Sequence, residues 1–329
     1  MALLVFFALF GVFLTQYLPL WMEQNESQLS NQAQASLSTL KSGVDDQYIL
    51  GGIPSYSVPF TLASQSVPLL AQPTIGTIAY LAGCPDGFYA NGTPRQPSFC
   101  DFDRLSYTAG KAPTGAPPNQ NYSQTATTNY LVLSLPNRYY PTVTYFFESD
   151  GLAAAQSSVH QAMLFPPPLN ISRSVSGLAV QSSLLVLLGS PSTFSGAGSK
   201  AVTSSLVTST TVSSNGRFLT STGASRTFTM ALTLGVHDIC GWYNSLYNTT
   251  LTALGPAPST LKSNPGPGNW TLSGSWASGS SATVAPPPSS AVCASSVTQV
   301  YDLTLTLYGV SYAASFVAQV QLAFNQGGL

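Results

Sequence analysis

Charge is what this sequence has least of. Of 329 residues only 6% are Asp, Glu, Lys or Arg, ten basic against eleven acidic, for a formal net charge of −1. A soluble domain ordinarily carries about 25%. With no basic excess there is no patch to neutralise phosphates, so a nucleic-acid partner is excluded. Disorder driven by charge repulsion is excluded too, because 44% of the chain is apolar. So little charge gives scant colloidal protection. Ser and Thr, about a quarter of the residues, supply part of the missing polarity.

Metal-ligating and catalytic residue types are equally sparse. There are two histidines, His160 and His237, and four cysteines that form no C-x-x-C, so a zinc site is not expected. No G-x-S-x-G, P-loop, G-x-G-x-x-G or H-E-x-x-H occurs, and SGAGSKAV lacks both the P-loop spacing and the Ser/Thr after Lys200. His237 and Asp238 are neighbours and point apart on an extended chain, which reads as a structural histidine. Asp101 and Asp103, near Asp86, present hard oxygen ligands, but no further ligand is fixed by spacing, so Ca²⁺ is not expected. A sugar-binding platform on Trp242, Trp270 or Trp276 has no supporting pattern; core packing is the simpler reading. No catalytic residue, cofactor or metal is assigned, and a secreted hydrolase is the weakest of the functional readings.

What the sequence does have is one long apolar run. Met1 to Met22 holds no charge, and the first charged residue is Glu23. Such a run spans a hydrocarbon core of ~30 Å as a helix. It has neither the basic leader and small-residue cleavage site of a signal peptide nor the Lys/Arg flank of an ordinary anchor. The expectation is that a leader has been removed, or that the chain begins at an internal position. Leu29, Ala33, Leu37, Leu40 and Val44 continue at helical spacing among Gln, Ser and Asn, an amphipathic extension. The helix is predicted to cover residues 1–47, to end near Gly43 and Asp45–Asp46, and to kink near Pro19. About 45 residues make a rod on the order of 70 Å long.

From Tyr48 onward the pattern is β. SYSVPFTL, TIGTIAYLAG, NYLVLSL, PTVTYFF and SSLLVLLG read as strands, the last apolar enough for burial on both faces. Phe228, Met230, Leu232 and Leu234 alternate with threonines, as do Leu303, Leu305 and Leu307. A separate final strand is predicted to put Phe316, Ala318, Val320, Leu322 and Phe324 on one face. Ile239, Trp242, Tyr243, Leu246, Tyr247, Leu251 and Leu254 follow helical spacing instead. The expected class is α+β: a long N-terminal α-helix, then a large antiparallel β-sandwich over 48–329. FPPP near 166–170 marks a candidate division into two lobes, although one sandwich with a long loop explains it equally well.

The four cysteines read as two disulfides in an oxidising compartment. Nearest-neighbour pairing, Cys84–Cys100 and Cys240–Cys293, is chosen among three connectivities. Asn-x-Ser/Thr sequons stand at Asn25, Asn91, Asn121, Asn170, Asn248 and Asn269, and N-linked glycans there would help wet a surface so poor in charge.

The stretch MALLVFFALFGVFLTQYLPLWMEQNESQLSNQAQASLSTLKSGVDD, followed by a β domain, resembles archaeal type IV pilins and pilin-like surface filament proteins. NRYYPTVTYFFESDGLAAAQSSVHQAMLFPPPLNI and LLVLLGSPSTFSGAG are similar to β segments of large pilin-like archaeal proteins. The resemblance implies peptidase processing just before the apolar helix. It also implies a filament with bundled helices inside and β domains outside. Bacterial type IV pilins carry Glu at the position of Val5; many archaeal ones lack it. The expected core residues are Leu3, Leu4, Phe6, Phe7, Leu9, Phe10, Phe13, Leu14, Leu18 and Trp21. The expected partner is a second copy of the chain in a helical homopolymer, with the membrane holding the precursor before assembly. The expected place is an extracellular cell-surface filament serving adhesion or cell–cell contact. The competing expectation is a single-pass surface receptor or binding ectodomain that never polymerises.

Overall fold

A computed structural model describes residues 2–50, 55–66, 72–83, 102–109, 121–156, 160–174, 177–213, 228–237, 239–256, 268–276, 281–282 and 301–325. One continuous helix opens the chain: α1 (Ala2–Val12), a π-helical turn (Phe13–Tyr17) and α2 (Leu18–Leu50). The expected disturbance at Pro19 is present, one turn upstream of the proline. The Leu18 N–H reaches back five residues to the Phe13 carbonyl, and the Thr15 hydroxyl donates to the Gly11 carbonyl at 2.8 Å. Widening the turn gives the proline ring room without breaking the rod.

The helix runs to Leu50, past its expected end. Gly43 does not terminate it. A Cβ at that position would collide with the Tyr56 ring, so glycine is there for close approach. Asp45 is held by Lys41 one turn back, which continues the helix rather than ending it.

The strands, in chain order, are β1 (Tyr56–Thr61), β2 (Thr77–Leu81), β3 (Phe102–Ala109), β4 (Asn121–Thr127), β5 (Tyr130–Leu135), β6 (Val143–Glu148), β7 (Gly151–Gln156), β8 (His160–Phe165), β9 (Leu169–Ser174), β10 (Gly177–Leu188), β11 (Ser192–Ser195), β12 (Ser199–Ser213), β13 (Phe228–Val236), β14 (Trp270–Trp276), β15 (Ser281–Ala282) and β16 (Tyr301–Asn325). The third helix, α3 (Ile239–Leu254), follows β13. Six strands form one antiparallel sheet in the order β11-β2-β5-β6-β7-β8, and the other ten form a second sheet. Residues 166–168 join β8 of the first sheet to β9 of the second.

The ten-stranded sheet is not purely antiparallel, as expected from the sequence, but mixed. β16 is one strand of 25 residues where two were expected. Gly309 takes φ +72, and the register against β13 and β10 shifts near it. The glycine thus re-phases one strand rather than separating two. The N-terminal half of β16 pairs with β13 and β14; its C-terminal half pairs antiparallel with β12 and parallel with β10.

The β10–β16 pair is the wall between two cores. Leu184 faces the core that holds α3, together with its parallel partner Val317. One residue on, Leu185 and Ala318 face the opposite core. Parallel strands covered on both faces read as continuous apolar runs, which is why LLVLL carries no alternation. Ala318, Val320 and Leu322 share one buried face with Phe324 packed against it, while Phe316 is 43% exposed.

The first core packs α3, through Ile239, Trp242, Tyr243 and Leu246, against β13, β14 and β16. The second lies between the two sheets and takes in one stripe of α2: Leu29, Ala33, Leu37, Leu40, Val44 and Tyr48. α2 is therefore a structural member of the sandwich, lying mainly against β1 and β12 and touching β6 and β7.

Candidate functional site: a bare apolar helix riveted to the β domain

Every residue of α1 is outside the folded body. Leu3 and Leu4 are each 70% exposed, and Phe6, Phe7 and Leu9 are similarly bare. Phe10 and Trp21 are also exposed; Phe13 and Leu14 are half-buried. Leu18 departs from the expected set, because it is buried beside Met22 with Leu14 against them. Along the bare face Phe6 stacks on Phe10 at 6.0 Å and Phe13 on Tyr17 at 6.4 Å. These are contacts within one helix and bury little. At about 1.5–3 kcal/mol per fully buried large apolar side chain, leaving eight of them in water costs on the order of 15 kcal/mol. The helix is long and apolar enough to cross a membrane.

The other end of the rod is fixed by polar groups, and the sequence reading missed all of them. Glu26 is fully buried. Its carboxylate accepts from the Thr74 hydroxyl and from three consecutive backbone N–H groups: Arg138 at 3.0 Å, Tyr139 at 2.7 Å and Tyr140 at 2.8 Å. Burial alone would raise its carboxyl, but the Thr74 hydroxyl and these N–H donors outweigh it and hold the group below the usual carboxylate range. Glu26 thereby clamps the β5–β6 connection onto the helix.

About four turns further along, Lys41 donates to Asp45 at 2.9 Å and to Asp150 at 3.1 Å. Asp150 is completely buried in the β6–β7 turn and also accepts from the Tyr48 hydroxyl at 3.1 Å and from Ser183. Ser149 and Asp150 both take positive φ, 47 and 63. That is the geometry of a two-residue hairpin whose twist matches its strands. A tight turn normally faces water; here it is driven into the protein and neutralised by the helix. Desolvation tends to lower the Lys41 ammonium, but the Asp150 and Asp45 carboxylates hold it above its usual range. Burial, with the neighbouring Asp150 charge, pushes the Asp45 carboxyl up to about 7 despite Lys41. The Asp45 carboxyl therefore titrates near neutrality, beside a carboxylate and an ammonium. Further ties run from Tyr145 Oη to the Ser30 carbonyl at 3.1 Å and from Gln47 Nε2 to the Ser204 carbonyl at 3.0 Å.

A signal for these rivets exists in the sequence. Glu26, Lys41 and Gln47 fall in phase with the apolar stripe of α2, where a solvated polar side chain has no place.

A third buried carboxylate holds the α3 side. Glu148 accepts from Trp242 Nε1 at 3.0 Å and from the His237 backbone N–H at 3.0 Å, and sits 2.8 Å from His237 Nδ1. His237 is buried and stacked on Phe146, as the structural reading expected. Trp242 and Trp270 are fully buried and offer no exposed platform.

Cys240 is disulfide-bonded. Cys84, Cys100 and Cys293 lie outside the described residues, as do Asn91, Asp86, Asp101 and Asp238. Asn121 stands on β4, and Asn170 and Asn248 are exposed on β9 and α3. Asn269 is half-buried. Asn25 is a correction: it is buried in α2 with its amide turned to the Gln65 carbonyl at 3.4 Å, so the folded domain leaves no room for a glycan there. No protein-family model, curated protein or solved structure matches this chain.

Proposed function

We propose that the chain is a structural subunit of an extracellular, archaeal type IV-like pilus, with the membrane holding it before assembly. The observation that supports this reading is the division of one continuous helix into two regimes. Its first 16 described residues, 2–17, carry no buried side chain, while the rest is fixed into the β domain by two buried carboxylate sites. A helix meant only to tether a domain needs no such rigidity where it meets that domain. A subunit that bears load does, because force taken up by the apolar helix must pass into the β body.

In the polymer the apolar faces of α1 cover one another and remove the cost of wetting them, and a head-to-tail contact that does not close yields a helical filament. The β domains form the coat, with Asn170 and Asn248 as the exposed glycan acceptors and adhesion or cell–cell contact as the task. Electron microscopy of the purified full-length chain after detergent removal tests this: filaments are expected. A monodisperse monomer that is stable without detergent overturns it. The same helix is long enough to cross a bilayer, which supports a single-pass surface receptor as the second reading. That reading wins if the chain stays a detergent-dependent monomer under every assembly condition.

A further inference from the structure

We infer that the β5–β6 connection, residues 136–142, is a membrane-contacting foot whose Arg138 and tyrosines meet phospholipid headgroups while the chain is held in the bilayer. This rests on the reading of the apolar helix as membrane-held, but not on polymerisation. The helix leaves the apolar layer near Tyr17 and Trp21, which are 61% and 50% exposed. Amphipathic aromatic rings of this kind settle at the level of the headgroups. Glu26, five residues beyond Trp21, lies about 7.5 Å further along the axis. The interfacial layer on each side of a bilayer is roughly 5–7 Å deep. The loop clamped by Glu26 is therefore within one side-chain length of that layer.

The loop also reaches toward the membrane end of the rod. Tyr140 shares an open groove of about 440 Å³ with Leu20, Glu23 and Gln24. Beside it Tyr139 is 42% exposed, and Arg138 is exposed with no hydrogen bond or ion pair from its guanidinium among the described residues. The backbone is held rigid underneath: Asn137 Nδ2 donates to the Pro141 carbonyl at 3.0 Å, and the next three N–H groups are taken by Glu26. A rigid loop presenting one free guanidinium and two phenols fits a layer of phosphates and glycerol hydroxyls. Of the acidic groups alongside, Glu26 is buried and fully engaged, which leaves Glu23 as the exposed carboxylate that opposes the attraction.

The test uses the full chain in vesicles of phosphatidylcholine with a minority of phosphatidylglycerol. An environment-sensitive fluorophore is placed by cysteine substitution at Phe10, Tyr139 or Asn248, with unlabelled wild type as background, and quenched by nitroxides fixed at the headgroup or deep in the acyl chain. Phe10→Cys is expected to respond to the deep nitroxide, which reports insertion. Tyr139→Cys should be quenched by the headgroup nitroxide severalfold more than Asn248→Cys on the α3 side. Charge reversal, Arg138→Glu, should lower quenching at 139 without changing that at 10. If position 10 is not quenched, the membrane-held reading itself fails. Position 10 quenched with 139 no different from 248 overturns the foot alone. Crosslinks between copies at 139 in place of headgroup quenching would assign the loop to a subunit contact and likewise overturn the foot.

Discussion

The raised Asp45 carboxyl, beside Lys41 and Asp150, gives the protein a stability that falls as pH rises from acid to neutral. The Asp45 carboxyl is raised from an ordinary value of 3.8 to about 7, by burial first and by the Asp150 charge second. Between those values the folded chain binds more protons than the unfolded chain, so unfolding releases them and is favoured by raising the pH. Above about 7 the group is ionised in both states and the slope vanishes. At 1.36 kcal/mol per unit the full effect is about 4 kcal/mol. For a large domain that corresponds to a drop in melting temperature of roughly 8 °C. Asp45→Asn removes the titration while leaving an amide that can donate to Asp150, as the protonated acid does. The variant should match wild type near pH 4 and exceed it at pH 7.5. Thermal unfolding of the detergent-solubilised chain, followed by circular dichroism from pH 4 to 8, measures both. The difference between the two curves isolates this site from every other titrating group. If wild type is as stable at 7.5 as at 4, or Asp45→Asn keeps the slope, the raised Asp45 carboxyl is not the cause.

Lys41→Met leaves two carboxylates buried without their ammonium, and denaturant titration should show a loss of about 3–5 kcal/mol. Glu26→Gln sets an amide against converging N–H donors; it should cost about 2–3 kcal/mol and speed hydrogen exchange across residues 136–142. In the wild type this contribution stands above pH 4.5 and is lost as pH falls below it, the opposite limb from Asp45. Gly151→Ala drives a methyl to within 2.6 Å of the buried Trp242 ring, which should destabilise by about 1–3 kcal/mol and shift the tryptophan emission.

The apolar stripe of α2 could be read directly, since five residues at helical spacing leave only one way to bury a face, and all five are buried. The same holds for α3, whose large aromatics at 242 and 243 sit on its inner side. Strands separated by local turns were also legible, because alternation and turn residues are properties of short segments. What could not be read is pairing between distant segments. β10 and β16 are separated by more than a hundred residues, and nothing within either says that they run parallel. Two strands were expected where β16 is one, because the sequence around Gly309 shows no continuous alternation across it. The actual role of Gly309, re-phasing a strand that passes from one core to the other, depends on having two cores.

The candidate site divides along the same line. The bare helix announces itself by composition, which needs no tertiary structure to interpret. The rivets do not, because a buried Glu or Lys looks like a solvated one until its partner is found. Those partners come from a hairpin turn and from loop backbone, groups whose donors carry no residue-type signature. The low charge content sharpens the inference in retrospect. In a chain that spends so few carboxylates, Glu26, Asp45, Glu148 and Asp150 all sit in or beside the junctions that hold α2, the β6–β7 turn and α3 together. A charged residue in phase with an apolar stripe is therefore the place to look for a joint, and a sequence poor in charge makes such residues easier to single out.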